Sequence, residues 1–324
     1  MILITGAAGL IGSAVARELN RRGRKDLLLV DHLGTSEKWM NLRSIQYASY
    51  IEKDQLLTAL QTGSHSLFGI NLIFHLGACS STTERDASYL INNNYQYSIR
   101  LADFAAQKGI RMIYASSAAT YGEGENGFED DLTRIDRLRP LNPYGYSKHM
   151  FDLWLRDRRF EPSFAGIKYF NVYGPNEYHK GEMMSVVLKA YRQILADGKI
   201  KLFKSYRPDY KDGEQKRDFL YVEDAARMTV YLGLESQALG LFNAGSGGAN
   251  TWVDLANAIF HAMNRQPQIE FVEMPEHLKA KYQYYTCAPM DTLRSAGYTA
   301  PVTPLAEAVK DYVQNYLMKD ESRA

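Results

Sequence analysis

The sequence predicts an α/β fold, a doubly wound parallel sheet, and three observations point to it. Short apolar runs alternate with helix-period segments through the first half of the chain. A glycine-rich turn joins the first of those runs to the first helical segment. The apolar runs are near-continuous rather than alternating, as expected for strands covered on both faces. Parallel strands need crossover connections, so a β-α-β rhythm is what such a sheet looks like along the chain.

Taken in order, Met1–Thr5 reads as a buried strand and Ser13–Arg22 as a helix with Gly23 near its C-cap. Leu27–Val30, Leu72–Phe74 and Met112–Ala115 read as further strands. Between the last two, Tyr89–Gln107 has the period of one long helix ending at Gly109. Phe164–Phe170 reads as a strand and Met184–Ala196 as an amphipathic helix ending at Gly198. Arg207–Gln215 is polar and reads as a surface loop, and Thr251–Met263 and Leu305–Leu317 read as helices, with Pro301 and Pro304 as punctuation between them. The expected division is a dinucleotide-binding domain over 1–175, to which a later segment near 218–247 returns, a smaller α/β substrate domain over 176–318, and a tail over 319–324.

The totals bound the function. The chain has 324 residues, 45% hydrophobic and 23% charged, and 38 basic residues against 37 acidic leave a net charge of +1. No global field favours nucleic acid or an anionic membrane. Two cysteines, Cys79 and Cys287, without C-x-x-C spacing, argue against a disulfide framework and a structural zinc, so no metal is expected. Gly6, Gly9 and Gly12 interrupt the apolar N-terminus, and no basic region precedes it, so it does not read as a signal peptide. No stretch reaches the ~18 apolar residues of a membrane span, and the expected location is the cytoplasm.

Thr5-Gly6-Ala7-Ala8-Gly9-Leu10-Ile11-Gly12 carries the first chemistry. Glycines at intervals of three let the backbone turn tightly and approach a pyrophosphate, which the N-terminal N–H groups of the next helix then bind. The spacing is G-x-x-G-x-x-G rather than G-x-G-x-x-G, and its strand–turn–helix setting is what gives it weight. Asp31, at the end of the second strand, stands where a carboxylate meets the adenosine ribose. Alone it favours NAD, whereas Lys38 and Lys53 nearby could hold the 2′-phosphate of NADP. Small residues in Leu76-Gly77-Ala78-Cys79-Ser80 suit a chain passing beneath the cofactor, and Cys79 reads as packing rather than as a nucleophile.

The second constellation is Ser116-Ser117 at a strand end, followed by Pro143-Tyr144-Gly145-Tyr146-Ser147-Lys148 opening a helix. Tyr144 and Lys148 are four apart and share a helix face, whereas Tyr146 points elsewhere. A neighbouring ammonium should lower the phenol's pKa, and a serine hydroxyl should align the reacting oxygen. Tyrosine, lysine and serine together suit hydride transfer at a carbinol. A lone Y-x-x-x-K is common by chance; its order after the glycine turn and the Ser-Ser strand end is what makes it specific.

These residues, with HLGACSSTTERD, NNNYQYS, YASSAATYG, NPYGYSK, KYFNVYGPNEYHKG, KRDFLYVEDAA and KAKYQYYT, resemble the extended short-chain dehydrogenase/reductase family of nucleotide-sugar enzymes. Within it they are similar to the branch that epimerises carbon 6 of ADP-linked heptoses, over residues 1 to about 318. The resemblance implies a Rossmann-type fold, bound NADP, an ADP-heptose substrate, a role in lipopolysaccharide inner-core synthesis and a homo-oligomer, a homopentamer in this branch. It implies two acid/base groups, Tyr144 and Lys180, with Lys148 and Ser117 assisting. Cofactor contacts would come from Gly6, Gly9, Gly12, Leu10 and Ile11 at the turn, and from Asp31, His32, Lys38 and Lys53 at the adenosine end. Leu76, Gly77, Ala78, Cys79, Ser80, Asn93, Lys148, Val172 and Lys180 would complete them. Substrate contacts would come from Ser116, Ser117, Asn171, Glu182 and Lys189, from Phe203, Lys204, Ser205 and Tyr206, and from Arg217 and Tyr282. Read from its own chemistry, Arg217 is either a bidentate diphosphate ligand or a surface partner of Asp218 or Glu223. His32 stands where the branch has asparagine and Glu182 where it has serine, and a carboxylate there would repel a diphosphate unless it turned away. The Arg207–Gln215 loop is also longer than usual.

Three other readings compete. A 4,6-dehydratase needs an acid and a base after the Ser-Ser strand end, where this chain has Ala118 and Ala119. A UDP-hexose 4-epimerase fits SSAATYG but not NNNYQYS or YHKG. A non-catalytic dinucleotide-binding regulator would have no use for Ser117, Tyr144 and Lys148 together.

Overall fold

The computed structural model describes residues 1–64, 67–279 and 282–319. Six strands come first along the chain: β1 (Ile2–Thr5), β2 (Leu27–Asp31), β3 (Ser49–Glu52), β4 (Leu72–His75), β5 (Arg111–Ser117) and β6 (Phe164–Tyr169). They are followed by β7 (Asn171–Tyr173), β8 (Ile200–Phe203), β9 (Lys216–Arg217), β10 (Phe219–Tyr221) and β11 (Gly240–Ala244). Seven of these form one sheet in the order β11-β6-β5-β4-β1-β2-β3, with every pairing parallel.

β1, β2 and β4 are buried at every residue, so no alternation survives in their sequences. Their side chains still alternate in space. Ile2, Ile4, Leu27, Leu29, Leu72 and Phe74 pack into the core on one face, and Leu3, Leu28, Val30 and Ile73 into the core on the other. The helices that cover the sheet are α1 (Leu10–Arg21), α2 (Lys53–Thr62), α3 (Ala87–Leu90), α4 (Tyr97–Lys108) and α5 (Pro143–Arg156), then α6 (Val186–Asp197), α7 (Val222–Leu234) and α8 (Trp252–Ala262). α1 and α7 lie together on the first face, and α2, α4 and α5 cover the second. Gly109 and Gly198 end α4 and α6 in the left-handed conformation, at φ 64° and 72°.

The remaining strands make three two-stranded ladders: β7 with β10, β8 with β13 (Ile269–Val272), and β9 with β12 (Asn250–Thr251). β8 packs with α6 and α8 and pairs with β13, and the helix Leu305–Asn315 lies against α8.

Several elements differ from the sequence-based expectation. β3 has no apolar run to announce it, because it is a half-exposed edge strand, and α2, with Leu56, Leu57, Ala59 and Leu60 at helical spacing, is a helix the expectation omits. The single helix expected over Tyr89–Gln107 is instead α3, a π-helical turn over Ile91–Gln96, and α4. The Arg207–Gln215 segment is not wholly a surface loop: Gly213 and Gln215 are buried, the first against Phe271, Val253 and Leu202. The tail expected over 319–324 lies, beyond Lys319, outside the described residues. No helix among the described residues is long and apolar enough to cross a membrane.

Candidate functional site

In a parallel sheet all strands end at the same edge, and Thr5, Asp31, His75 and Ser117 end theirs around one crevice. The strand order reverses between β1 and β4, which is where open α/β sheets bind ligands. A cavity of about 550 Å³ lies there.

Its floor is the glycine turn. Gly6 has φ 68°, and a Cβ on it would meet the Gly77 backbone at 2.6 Å. A Cβ on Gly12 would lie 2.0 Å from the Gly6 carbonyl oxygen. Gly9 caps α1 without a side-chain acceptor, and the first turn of α1 holds no acidic residue. The helix therefore presents uncapped N–H groups and an unopposed positive end to the cavity. This is a cradle that a Cβ would fill, and it suits a pyrophosphate.

Asp31 sits at the far end. Its Oδ2 accepts from the Ala8 N–H at 2.8 Å, and its Oδ1 accepts from the His32 N–H at 2.7 Å and from Lys38 Nζ at 2.5 Å. Lys53 Nζ donates to Asn93 Oδ1 at 2.9 Å. The π turn explains why Asn93 is here: one extra residue in the helix re-aims its side chains. The adjacent Asn94, a residue the sequence did not single out, is buried and bonds the N–H and C=O of Cys79 at 2.9 and 3.0 Å and Ser147 Oγ at 3.1 Å. It ties the Leu76–Ser80 segment to α5. Thr5 does similar work, accepting from the Gly77 N–H at 3.1 Å while its hydroxyl meets His75 Nδ1 at 2.7 Å. Burial and nearby Lys148 push the His75 imidazole down to about 3, so this ring is a neutral strut.

On the opposite wall, Asn142 caps α5 by accepting from the Gly145 N–H at 2.8 Å, with Pro143 at the first helical position. Gly145 lets the helix start press on the Ala118–Tyr121 turn, since a Cβ there would lie 2.7 Å from the Ala119 oxygen. That fixes Tyr144 over the strand end, beside Ser117 in the cavity wall. Lys148 is buried and donates to the Ala115 carbonyl at 2.8 Å. Burial brings its ammonium down to about 8, partly opposed by Asp152. The expectation that Lys148 would lower the Tyr144 pKa needs correcting. Burial raises the phenol above its ordinary value, with the nearby Ser117 hydroxyl opposing. The amine is engaged by a backbone carbonyl, and desolvation of phenolate is the larger effect.

Lys180 arrives from a separate segment, the short helical stretch Tyr178–Met183 after β7. Buried Glu177 holds that stretch, accepting from Ser185 Oγ at 2.7 Å and from the Tyr312 hydroxyl at 3.0 Å. Burial lowers the Lys180 ammonium from its ordinary value, with Glu177 opposing. Thus Tyr144, Ser116, Ser117, Lys148 and Lys180 line one cavity with Asp31, His32, Lys38, Lys53, Asn93, Val172 and the glycine turn. Tyr89, His179 and Met183 line it too, without any sequence pattern to flag them.

The other expected substrate residues do not line this cavity. Phe203, Arg217 and Tyr282 form a cluster of their own: the Arg217 guanidinium lies 5.4 Å from the Tyr282 ring and 5.6 Å from the Trp252 ring, and Phe203 meets Tyr282 edge-on at 6.2 Å. Tyr206 joins through its N–H, which donates to the Tyr284 hydroxyl at 3.0 Å, and Ser205 N–H donates to Asp212 Oδ1 at 2.7 Å. Arg217 is buried and bonds the carbonyls of Lys216 and Gln283. The surface pairing with Asp218 or Glu223 does not occur, because Asp218 accepts from Ser246, Gly247 and Ala288 and Glu223 pairs with Arg17 and Arg21. Lys204 pairs with Glu273 at 2.7 Å. Asn171 is exposed and donates to the Asp218 carbonyl at 3.1 Å. The Glu182 side chain is fully exposed, pairing with Lys189 Nζ at 3.6 Å. Among the described residues no cluster of His, Cys, Asp and Glu could hold a metal, and Cys79 and Cys287 are free thiols.

Residues 2–245 match the NAD dependent epimerase/dehydratase family. The chain is 49% identical over 318 residues to an ADP-L-glycero-D-manno-heptose-6-epimerase of Nitratidesulfovibrio vulgaris, covering 98% of each chain. It is 45% identical over 331 residues to one of Fusobacterium nucleatum, covering 99% of each. Among solved structures, an ADP-L-glycero-D-manno-heptose-6-epimerase of Helicobacter pylori superposes with TM-score 0.80 at 26% identity, over 97% of this chain and 95% of that one.

Proposed function

The chain belongs to the NAD dependent epimerase/dehydratase family, and from that premise we infer that it is an enzyme inverting carbon 6 of ADP-D-glycero-D-manno-heptose to give ADP-L-glycero-D-manno-heptose. The observation that carries this reading is the placing of Tyr144 and Lys180, from different segments, in the cavity that holds the glycine turn. A bound nicotinamide supplies hydride acceptance from carbon 6 and its return to the other face.

The chain's residues then have two proton tasks. Tyr144 takes the proton of the carbon-6 hydroxyl in one half of the reaction, with Ser117 aligning that oxygen. The ketone turns, and Lys180, which burial brings closer to neutrality than an ordinary lysine, gives a proton to the oxygen in its other orientation. Lys148 remains the cation beside the phenol. Arg217, on its aromatic platform, pairs with the diphosphate.

NADP is the proposed form of the cofactor, with Lys38 and Lys53 as partners of the 2′-phosphate. Lys38 would exchange Asp31 for phosphate, and His32 would stand beside it. We also propose that residues 176–318, apart from the segment near 218–247, serve as the substrate domain. The setting proposed with this activity is cytoplasmic heptose synthesis for the lipopolysaccharide inner core, by a homo-oligomer.

The direct test is to incubate the protein with ADP-D-glycero-D-manno-heptose and follow carbon 6 by NMR. Absence of conversion with cofactor bound would overturn the reading, and conversion of a UDP-hexose at carbon 4 instead would favour the 4-epimerase. Lys180→Ala is expected to lower kcat by about 10²-fold, and epimerisation at the normal rate would end the two-base account. Arg217→Ala is expected to raise KM at least tenfold, losing roughly the 1.5–3 kcal/mol of a charged hydrogen bond, with a smaller change in kcat. A fall in kcat at unchanged KM would place Arg217 elsewhere.

A further inference from the structure

Beneath the acid/base pair lies a buried ion pair that the proposed chemistry does not use. Asp152 is four residues after Lys148 and eight after Tyr144, so the three share one stripe of α5. Its carboxylate is fully buried and accepts from the Tyr114 hydroxyl at 2.8 Å, Ser116 Oγ at 2.7 Å and Lys168 Nζ at 2.7 Å. With Lys148 donating to Ala115, three consecutive residues of β5 are latched to one face of α5. Lys168 also donates to Thr120 Oγ1 at 2.6 Å, and Thr120 donates to the Ser117 carbonyl at 2.8 Å. The strand end that aligns the reacting oxygen is therefore held from below on both sides.

We propose that Asp152 is a positioning residue of the reaction, fixing the Ser116–Ser117 strand end against α5 and keeping the Lys148 ammonium charged. The inference rests on the acid/base reading of Tyr144 and Lys148. A structural cross-link would need only some buried, satisfied pair. This carboxylate instead lies one helical turn beyond Lys148, on the same stripe, and its field favours the charged amine. The other charged and titratable groups around Lys148 are the neutral His75 on β4, Cys79 after it, Tyr144 on its own helix, and Lys180 across the cavity. Lys168 acts through Asp152. Asp152 is the one buried carboxylate of this set. With burial bringing Lys148 to about 8, loss of that field matters near neutral pH.

The experiment is the pH profile of kcat for the holoenzyme with ADP-D-glycero-D-manno-heptose. Lys148 loses its proton as pH rises, so it sets an alkaline limb. Asp152→Asn keeps the shape of the side chain and removes its charge, and is expected to move that limb down by about one pH unit. Lys168→Met damages the same network but leaves the carboxylate, and is expected to leave the limb in place or move it up. The double variant D152N/K168M leaves no unpaired buried charge and carries the same downward expectation should the single variant not fold. A limb unmoved in the variants that carry Asp152→Asn, or moved down equally by Lys168→Met alone, overturns the inference. A wild-type profile without any alkaline limb overturns the acid/base reading, and this inference with it.

Discussion

Tyr144→Phe is expected to lower kcat by about 10²–10⁴, the usual worth of a general acid/base, while leaving dinucleotide affinity within a few-fold. The hydroxyl is the part of this side chain that touches Ser117, and the ring stays to fill its place over the strand end. The substitution leaves the helix cap, the Gly145 contact and the Lys148–Ala115 hydrogen bond in place. The measurement pairs stopped-assay NMR at carbon 6 with calorimetric titration of the cofactor. Full turnover in the variant would remove Tyr144 from the chemistry. Loss of cofactor affinity with it would mean the hydroxyl serves binding instead. The variant loses the group that accepts this proton in one direction of epimerisation and returns it in the other, so both directions fall together.

The second large effect concerns the cofactor cradle. Gly12→Ala puts a methyl carbon 2.0 Å from the Gly6 carbonyl oxygen and 2.7 Å from its carbon. Backbone cannot yield as a flexible side chain can, so the turn must open by about an ångström. Overpacking of this kind costs about 1–3 kcal/mol. Here it falls on the segment whose N–H groups would meet the pyrophosphate. Cofactor affinity is expected to drop about ten- to a hundredfold, read by titration with NADP and with NAD. By contrast, Gly63→Ala, at the left-handed end of α2, has no atom within 4 Å of the new Cβ and touches nothing in the cavity. It should alter stability alone. Equal affinities for the Gly12→Ala and wild-type proteins would show that the pyrophosphate does not lie in this turn.

The sequence by itself determined the sheet's central strands and the identity of the turn. Both are local properties: short near-continuous apolar runs suit strands covered on two faces, and glycines at three-residue spacing between a strand and a helix suit a tight backbone approach. It also determined that Tyr144 and Lys148 share a face, because helical geometry fixes that over four residues. It did not determine β3, whose edge position spares it an apolar signature, nor the π turn that brings Asn93 and Asn94 inward, since the polar run Asn92-Asn93-Asn94 holds no apolar period in which a widened turn would show.

Only the tertiary structure decided what depends on distant partners. Arg217 had two readings because its charge could suit either a phosphate or a nearby carboxylate. The fold gave Asp218 and Glu223 other partners and set Arg217 between Trp252 and Tyr282. The direction of the Tyr144 pKa was likewise decided by burial, which no spacing reveals. Asp152 and Lys168, sixteen residues apart on different elements, meet at 2.7 Å only because α5 packs on a sheet in which β6 lies beside β5. Spacing along the chain sets which side chains share a face. What each one faces, and hence its charge, is set by elements that arrive from elsewhere.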